Sequence, residues 1–331
     1  MERDPTAAHS HILVRGTKTG LPYSKGLLAT SVQATGLAPA RAYGVAERVE
    51  SVLRGSGTRE VSVEELRQVA VQVLRDTVGE KAAERYLRWQ RAQERQLPLI
   101  VLIGGATGVG KSTVATHVAG RLAMTRIVST DAIREVMRST ISQELMPALH
   151  VSSFETVDAV PPAVSVVKEP LIAGFLRQVQ AVAVGIRHLL ERDALERTDM
   201  IVEGVHILPG MITASHVEDA AVVQVVLTVD DPDVHRSHLS GRSQQAPDRP
   251  RERYLEHFEE IREIQEEVIR RAEAAGVPMV RSYGLDATVD EVHGLVVDAV
   301  LQRQGGATPD VAATSGGQVL SGARGDGGRR G

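Results

Sequence analysis

The chain has 331 residues, a formal net charge of −4, and 42% hydrophobic and 24% charged residues. This composition is ordinary for a folded globular protein, and the length predicts two domains because one core rarely exceeds about 250–300 residues. The negative charge argues against nucleic acid as the main partner. The absence of cysteine excludes disulfides, thiolate metal sites and cysteine nucleophiles.

Neither a membrane span nor a signal peptide is predicted. No apolar run approaches the roughly 18 residues that a membrane-spanning helix needs. Residues 1–5 lack the basic start of a signal peptide, and no apolar stretch follows them. We therefore expect a cytoplasmic protein that binds neither a membrane nor nucleic acid.

Residues 1–96 are predicted to form a small, mostly helical domain. Apolar residues recur at helical spacing over residues 40–53. Ser62 and Glu65 have the capping-box spacing that begins a helix. A further amphipathic helix is expected at about residues 80–95.

Residues 97–303 are predicted to form a second domain in which strands and helices alternate. The continuous apolar run at residues 99–103 is typical of a strand buried on both faces of a parallel sheet. Further short strands are expected at residues 126–129, 200–202, 221–229 and 277–280. This alternation predicts a doubly wound α/β fold with helices on both faces of the sheet.

The remaining predictions concern one long helix and three irregular segments. Residues 254–272 have a strongly amphipathic pattern typical of a helix. Residues 240–250 are polar, with one glycine and two prolines, as a mobile lid would be. Residues 1–10 and the tail at residues 304–331 offer little to bury and are expected to be disordered.

The strongest motif is a phosphate-binding loop. Gly105, Gly110, Lys111 and Ser112 match the pattern G-x-x-x-x-G-K-S between a predicted strand and a predicted helix. In such loops backbone N–H groups surround the phosphates, the lysine reaches the β- and γ-phosphates, and the serine hydroxyl binds Mg²⁺. We predict ATP and Mg²⁺ as cofactors. The predicted nucleotide-binding residues are Gly105, Ala106, Thr107, Gly108, Val109, Gly110, Lys111, Ser112 and Thr113.

Three other classes of nucleotide-binding protein fit the sequence less well. A dinucleotide-binding loop has the pattern G-x-G-x-x-G and no lysine. A GTPase usually carries an Asn-Lys-x-Asp motif, which a chain without asparagine cannot supply. Residues 315–318 copy part of the signature of transporter ATPases, but they lie in the predicted tail. The pattern therefore favours a P-loop kinase.

Two carboxylates follow predicted strands at the edge of the sheet where a P-loop enzyme places its chemistry. Asp131 follows residues 126–129, and Glu203 follows residues 200–202. We predict that Asp131 orients the phosphoryl acceptor or removes its proton, and that Glu203 holds Mg²⁺ together with Ser112. Asp131 also suits the N-cap of the next helix, and the two roles are compatible.

Basic residues near these carboxylates are candidates for holding an anionic acceptor. Arg134 and Arg138 lie on one helical face and could grip a phosphate or carboxylate, with plain surface charge as the alternative. Arginines around the predicted lid could close over the transferring phosphoryl group, or belong to a solvated loop. The lid group is Arg236, Arg242, Arg249, Arg251 and Arg253. The predicted catalytic residues are Lys111, Asp131 and Arg242, and the predicted substrate-binding residues are Arg134, Arg138, His206, Arg236 and Arg253.

Several blocks of the second domain resemble 2-phosphoglycerate kinases. The resemblance implies a P-loop NTPase fold and ATP-dependent phosphorylation of 2-phosphoglycerate to 2,3-bisphosphoglycerate. It further implies that Arg134 and Arg138 hold the anionic groups of this small phosphorylated acceptor. The similar blocks are residues 103–113, 129–138, 149–154, 201–206, 253–255 and 261–265.

The first domain resembles an ATP-cone, a small nucleotide-binding regulatory module. Residues 22–26, residues 42–46 and Tyr86 carry this similarity. Residues 15–20 depart from the Lys-Arg-Asp-Gly-like turn of such modules, so nucleotide binding and a purely structural role both remain open.

Two alternatives to this activity are compatible with the sequence. The acceptor could be another small phosphorylated or carboxylated metabolite. The chain could instead be a nucleotide-sensing switch with little turnover, although Asp131, Glu203 and the lid arginines argue against it because a sensor needs no acceptor site.

Overall fold

The computed structural model describes residues 12–15, 20–159, 169–212, 217, 219–242 and 251–304. Three predictions lie wholly or mostly outside these residues: the disordered start, the lid at residues 240–250 and the tail after residue 304. Among the described helices, none combines the length and apolarity needed to cross a bilayer.

The N-terminal module combines a small sheet with packed helices. Strand β1 (Leu13–Arg15) pairs antiparallel with β2 (Gly20–Pro22) and parallel with β3 (Glu60–Ser62). This sheet was not part of the sequence prediction. The helices of the module are α1 (Lys25–Gln33), α2 (Pro39–Gly55), α3 (Val63–Thr77) and α4 (Glu80–Gln93).

The predicted capping box is present at the start of α3. The Ser62 hydroxyl accepts a hydrogen bond from the Glu65 amide at 3.1 Å, and the Glu65 carboxylate accepts one from the Ser62 amide at 2.8 Å. Two amides that the helix leaves without partners are thereby satisfied. The buried faces of α2 and α3 meet in a core that includes Val49 and Leu74.

The second domain is built on a five-stranded parallel sheet of order β5-β6-β4-β7-β8. All six residues of the central strand β4 are buried, as the continuous apolar run predicts. The five predicted strands are therefore confirmed, with small shifts at their ends. Their bounds are β4 (Leu99–Gly104), β5 (Arg126–Ser129), β6 (Met200–Glu203), β7 (Ala221–Thr228) and β8 (Met279–Arg281).

Helices cover both faces of this sheet. Ile100 and Leu102 of β4 belong to the core with Ile186, whereas Val101 and Ile103 belong to the opposite core with Val118. The helices are α5 (Lys111–Leu122), α6 (Thr130–Thr140), α7 (Pro170–Leu195), α8 (Pro232–Arg242), α9 (Arg251–Glu256), α10 (Phe258–Ala275) and α11 (Leu285–Gln304). The predicted doubly wound α/β fold is confirmed.

The expected single helix at residues 254–272 is two helices. Helix α9 ends at Glu256 and α10 begins at Phe258. His257 has φ −102° and ψ 28°, outside the helical values, and forms the N-cap of α10. The apolar periodicity continues through this break, so the sequence pattern alone did not reveal it.

The two modules pack against each other rather than being joined by a free linker. Trp89 of α4 is 1% exposed and belongs to the core of the second domain. Its ring lies 5.9 Å from the ring of His293 on α11. The predicted boundary at residues 96 and 97 falls in the short connection between α4 and β4, where Arg95 is ion-paired with Asp199.

Candidate active site

The phosphate-binding loop joins β4 to α5 along a path that requires glycine. Gly105 has φ +138°, a left-handed backbone value that residues with a side chain rarely adopt. A Cβ atom there would also lie 2.5 Å from the carbonyl oxygen of Leu227 on β7. The loop is thus held against the sheet, which leaves its amides to face a bound anion.

Lys111 and Ser112 occupy the first turn of α5. Lys111 is 5% exposed, and its ammonium group donates a hydrogen bond to the Ala106 carbonyl oxygen at 2.7 Å. The Ser112 hydroxyl donates one to Glu203 Oε1 at 2.8 Å. The structure therefore brings together the two residues predicted to hold Mg²⁺. Hydroxyl and carboxylate oxygens are ligands of the type that Mg²⁺ prefers, so this pair fits the metal.

His235 of α8 supports the phosphate-binding loop from behind and was not predicted. Its Nε2 atom lies 2.8 Å from the Thr107 carbonyl oxygen, to which the neutral ring donates. The ring is 0% exposed and packs against Phe258 with a centroid distance of 5.6 Å. Burial lowers the pKa of His235 to about 4, against the opposing effect of the bond to Thr107.

Asp131 lies in the first turn of α6 and faces the cavity. The N-cap of this helix is Ser129, whose hydroxyl accepts a hydrogen bond from the Ala132 amide at 3.1 Å. The interpretation of Asp131 as the N-cap is therefore wrong. Its carboxylate is 53% exposed, and its Oδ1 lies 3.8 Å from Arg134 Nε. The carboxylate is thus available to an acceptor.

Arg134 and Arg138 line the same side of the cavity as Asp131. The Arg134 guanidinium donates to the carbonyl oxygens of Leu149 and Val151, at 3.0 Å in each case. Arg138 is ion-paired with Glu135 at 2.6 Å. Arg134 is therefore fixed in place by backbone atoms, whereas Arg138 is 43% exposed and can turn toward an anion.

His206 does not line the cavity; it lies behind the site and is 1% exposed. Its Nε2 donates to Gln178 Oε1 at 3.1 Å, and its Nδ1 accepts from the Thr130 hydroxyl at 2.8 Å. Gln178 in turn donates to the Ala148 and Val151 carbonyl oxygens. The prediction that His206 contacts the substrate is therefore wrong. Its hydrogen bonds make it a positioning residue between α6 and the segment beside Arg134.

The ring of His206 is neutral at pH 7. Burial lowers its pKa to about 4, with Asp131 opposing the shift and Arg134 and Lys111 adding to it. A neutral imidazole is required here because one ring nitrogen accepts while the other donates.

The loop after β6 approaches α6 so closely that Gly204 admits no side chain. Gly204 has φ +154°, and a Cβ atom would collide with the side chain of Thr130. The close approach places the carboxylate of Glu203 opposite α6 within one cavity.

The arginines of the predicted lid fall in three different environments. Arg253 of α9 lines the cavity and is paired with Glu155 through Nε at 2.7 Å. Arg236 does not line it: its guanidinium stacks on Phe258 at 4.0 Å and pairs with Asp233 and Glu259. Arg236 is thus placed on the outer face of α8. The side chains of Arg242 and Arg251, and the whole of Arg249, lie outside the described residues.

These elements enclose a cavity of about 420 Å³ at the carboxyl end of the sheet. Residues of the phosphate-binding loop and three arginines line this one cavity, as a transfer between two anionic substrates requires. The lining residues with charged or metal-binding groups include Lys111, Ser112, Asp131, Arg134, Arg138, Glu203 and Arg253.

Comparison with known proteins assigns the chain to a family. It is 37% identical over 299 residues to 2-phosphoglycerate kinase of Methanopyrus kandleri, covering 89% of this chain and 90% of the relative. Its identity to the enzyme of Methanococcus vannielii is 36% over 290 residues, covering 87% and 92%. With the enzyme of Thermococcus kodakarensis it shares 38% over 277 residues, covering 83% and 92%.

The chain belongs to the 2-phosphoglycerate kinase family. It is therefore an ATP-dependent phosphotransferase. Residues 14–95 match the family model described as ATP cone domain, which confirms the second resemblance.

Proposed function

We propose that this kinase transfers the γ-phosphoryl group of ATP to the 3-hydroxyl of 2-phosphoglycerate, producing ADP and 2,3-bisphosphoglycerate. The observation that carries the proposal is the single cavity in which a phosphate-binding loop faces Arg134, Arg138 and Arg253. The acceptor has a phosphate and a carboxylate, and guanidinium groups bind both through paired, charge-assisted hydrogen bonds.

The nucleotide lies along the phosphate-binding loop in this proposal. Lys111 and the loop amides hold the β- and γ-phosphates. A second cavity, of about 330 Å³, lies on the other side of the loop and is lined by Gly110, Thr113, His238 and Tyr283, among others. It offers room for the nucleoside, while the γ-phosphate faces the larger cavity.

Ser112 and Glu203 would hold Mg²⁺. When bound, the metal neutralises charge on the transferring phosphoryl group and on the ADP that leaves. The protein's own contribution is to fix these two oxygen ligands, 2.8 Å apart, beside Lys111.

The transfer itself exchanges one phosphorus–oxygen bond for another. The acceptor hydroxyl oxygen bonds to the γ-phosphorus, the bond to the bridging oxygen of ADP breaks, and Asp131 receives the hydroxyl proton. Arg138 and Arg253 hold the acceptor's anionic groups, and Arg134 adds positive charge beside Asp131. The role of Arg242 as a cation that closes over the phosphoryl group stays a prediction, because its side chain lies outside the described residues.

The direct test measures ADP release by the purified protein with Mg·ATP and one of 2-phosphoglycerate, 3-phosphoglycerate or glycerate. We expect turnover with 2-phosphoglycerate and its loss in Lys111→Ala. Turnover with another of the three acceptors would reassign the substrate. No stimulation by any acceptor, with ATP still bound, would refute the proposed transfer to 2-phosphoglycerate.

The acceptor side can be tested separately with Arg138→Gln. Loss of one charge-assisted hydrogen bond should raise the KM for 2-phosphoglycerate about tenfold or more, while the KM for ATP stays the same. Arg192→Gln is the matched control, because Arg192 is an exposed arginine of α7 that does not line the cavity. Equal effects of the two substitutions would contradict the assignment.

A further inference from the structure

A third cavity, of about 190 Å³, lies between the N-terminal module and the catalytic domain. The turn after α1 and helix α4 line it from one side, and α5 and α11 line it from the other. We call it the junction cleft. Its polar lining residues are Thr35, Arg85, Arg88, Arg121, Asp290 and His293.

The junction cleft has an excess of positive charge. Arg121 of α5 is ion-paired with Asp290, and Arg88 of α4 is ion-paired with Asp298. Arg85 donates to the Thr35 carbonyl oxygen at 3.2 Å and lies 3.9 Å from Asp290. Two carboxylates thus face three guanidinium groups. Arg85 and Arg88 are half exposed, so they retain donors for a further anion.

One buried nitrogen in the cleft has no hydrogen-bond partner within the described part of the chain. His293 is 8% exposed and lines the cleft, and its Nε2 atom has no hydrogen-bond partner among the described residues. A buried polar atom without a partner is unfavourable, and such atoms in native structures point to a water, an ion or a ligand. The guanidinium groups around His293 favour an anion in that place.

We propose that the junction cleft is a binding site for a small anion of the phosphate class, either inorganic phosphate or a small phosphate ester. Its volume lies below the roughly 300–1,000 Å³ of sites for drug-sized ligands, which argues against a whole nucleoside triphosphate. Arg85 and Arg88 bind the anion from the N-terminal module, and Arg121 and His293 bind it from the catalytic domain. The anion therefore links the two modules.

The position of the cleft connects it to the catalytic site. Arg121 is in the last turn of α5, and Lys111 and Ser112 are in the first turn of the same helix. The site nevertheless shares no lining residue with the active-site cavity. Anion binding in the junction cleft is independent of which acceptor the kinase uses, and its test does not depend on turnover.

The chain's one tryptophan makes the cleft directly observable. Trp89 lies 5.9 Å from His293, so an anion that contacts His293 should change the emission of Trp89. The experiment titrates the full chain with inorganic phosphate and, separately, with glycerol 2-phosphate, using potassium chloride at matched ionic strength as the control. The Lys111→Ala protein is titrated in parallel to exclude a response from the catalytic phosphate site.

A saturable change that persists in Lys111→Ala is the expected result. Arg85→Gln and Arg88→Gln should each raise the apparent Kd about tenfold or more, because each removes a charge-assisted hydrogen bond. Arg91→Gln is the matched control, since Arg91 is an exposed arginine of the same helix outside the cleft. Tighter binding of glycerol 2-phosphate than of phosphate would identify an ester as the ligand.

Three results would overturn the proposal. The first is the absence of a saturable response, and the second is an equal response to potassium chloride. The third is unchanged affinity in both Arg85→Gln and Arg88→Gln, provided that these variants melt at the same temperature as the parent protein.

Discussion

Glu203 combines burial with a position at the end of the central part of the sheet. The residue is 6% exposed and its carboxylate accepts a hydrogen bond from Ser112 at 2.8 Å. Lys111, which precedes Ser112 in α5, supplies a positive charge at the N-terminal end of that helix. A carboxylate in this position matters through its charge as well as its shape, because a buried anion stabilises a bound cation strongly.

Glu203→Gln therefore separates charge from shape at this position. The amide keeps the size of the side chain and removes the anionic ligand. We therefore expect kcat to fall about 100-fold or more, and the Mg²⁺ concentration that gives half-maximal activity to rise. Both are read from ADP release across a range of Mg²⁺ concentrations. Glu191→Gln, at an exposed position on α7, is the control. An unchanged Mg²⁺ dependence would show that Glu203 does not hold Mg²⁺.

The sequence predicted that two site residues lie close together only where a motif or the end of a strand marked them. Ser112 and Glu203 are 91 positions apart, yet Ser112 follows β4 and Glu203 ends β6. The carboxyl ends of parallel strands meet at one edge of the sheet. His235, Gln178 and Glu155 carried no such signal. Each acts through a contact between helices or loops whose packing is not encoded in a local pattern.

Helix α8 connects the phosphate-binding loop to the segment predicted to be the lid. His235 contacts the loop from the first turn of the helix, and the helix ends at Arg242, next to residues 243–250. A change in the direction of α8 would therefore be transmitted to the Thr107 carbonyl group. The arrangement indicates that the phosphate-binding loop depends on packing from outside its own motif.

His235→Phe tests this dependence while keeping a ring of similar volume. The Thr107 carbonyl group loses its partner, which costs about 1–3 kcal/mol when it is buried. We expect the KM for ATP to rise several-fold or more, and the KM for the acceptor to change little. His188→Gln, at an exposed position on α7, serves as the control. An unaltered KM for ATP would show that His235 is only a packing residue.

Sequence patterns predicted the regular elements well and their interruptions poorly. Every predicted strand of the catalytic domain is present, and the continuous apolar run of β4 correctly indicated burial on both faces. The break between α9 and α10 escaped detection, as did the short β1–β3 sheet, whose strands have only three residues each. Elements of that length contain too few residues to establish a period.

The two modules share a core, so the molecule should unfold as a unit. Trp89, Ala34 and Ala92 of the N-terminal module belong to the same hydrophobic cluster as the central strand β4. We predict one calorimetric transition, with Trp89 fluorescence and far-ultraviolet circular dichroism following the same curve. Trp89→Ala should lower the free energy of unfolding by about 3–5 kcal/mol. Two separate transitions in the parent protein would contradict this prediction.

Three buried histidines should make the whole molecule sensitive to acid. Burial lowers the pKa of His206, of His235 and of His293 to about 4 in each case, from an ordinary value of 6.5. Below pH 6.5 the unfolded chain therefore binds protons that the folded chain excludes until about pH 4. The free energy of unfolding should fall as pH decreases through this window, and these groups should contribute no slope above about pH 7.

Urea unfolding at pH 7 and pH 5 measures this effect. Each of the three histidines should contribute a loss of about 2 kcal/mol between these two values. His235→Phe should reduce the pH dependence, whereas His188→Gln should not, because His188 is exposed. Identical pH dependence in all three proteins would mean that other groups are responsible.

Different helices contribute to the junction cleft and to the proposed acceptor site, and this separation has an evolutionary consequence. The junction with the N-terminal module involves α5 and α11, whereas the proposed acceptor site is lined by α6, α9 and the segment before α7. Substitutions that select a new acceptor therefore fall on elements other than those that line the junction cleft. A lineage of such kinases can diversify in its choice of metabolite while inheriting the same N-terminal module and the same attachment to it.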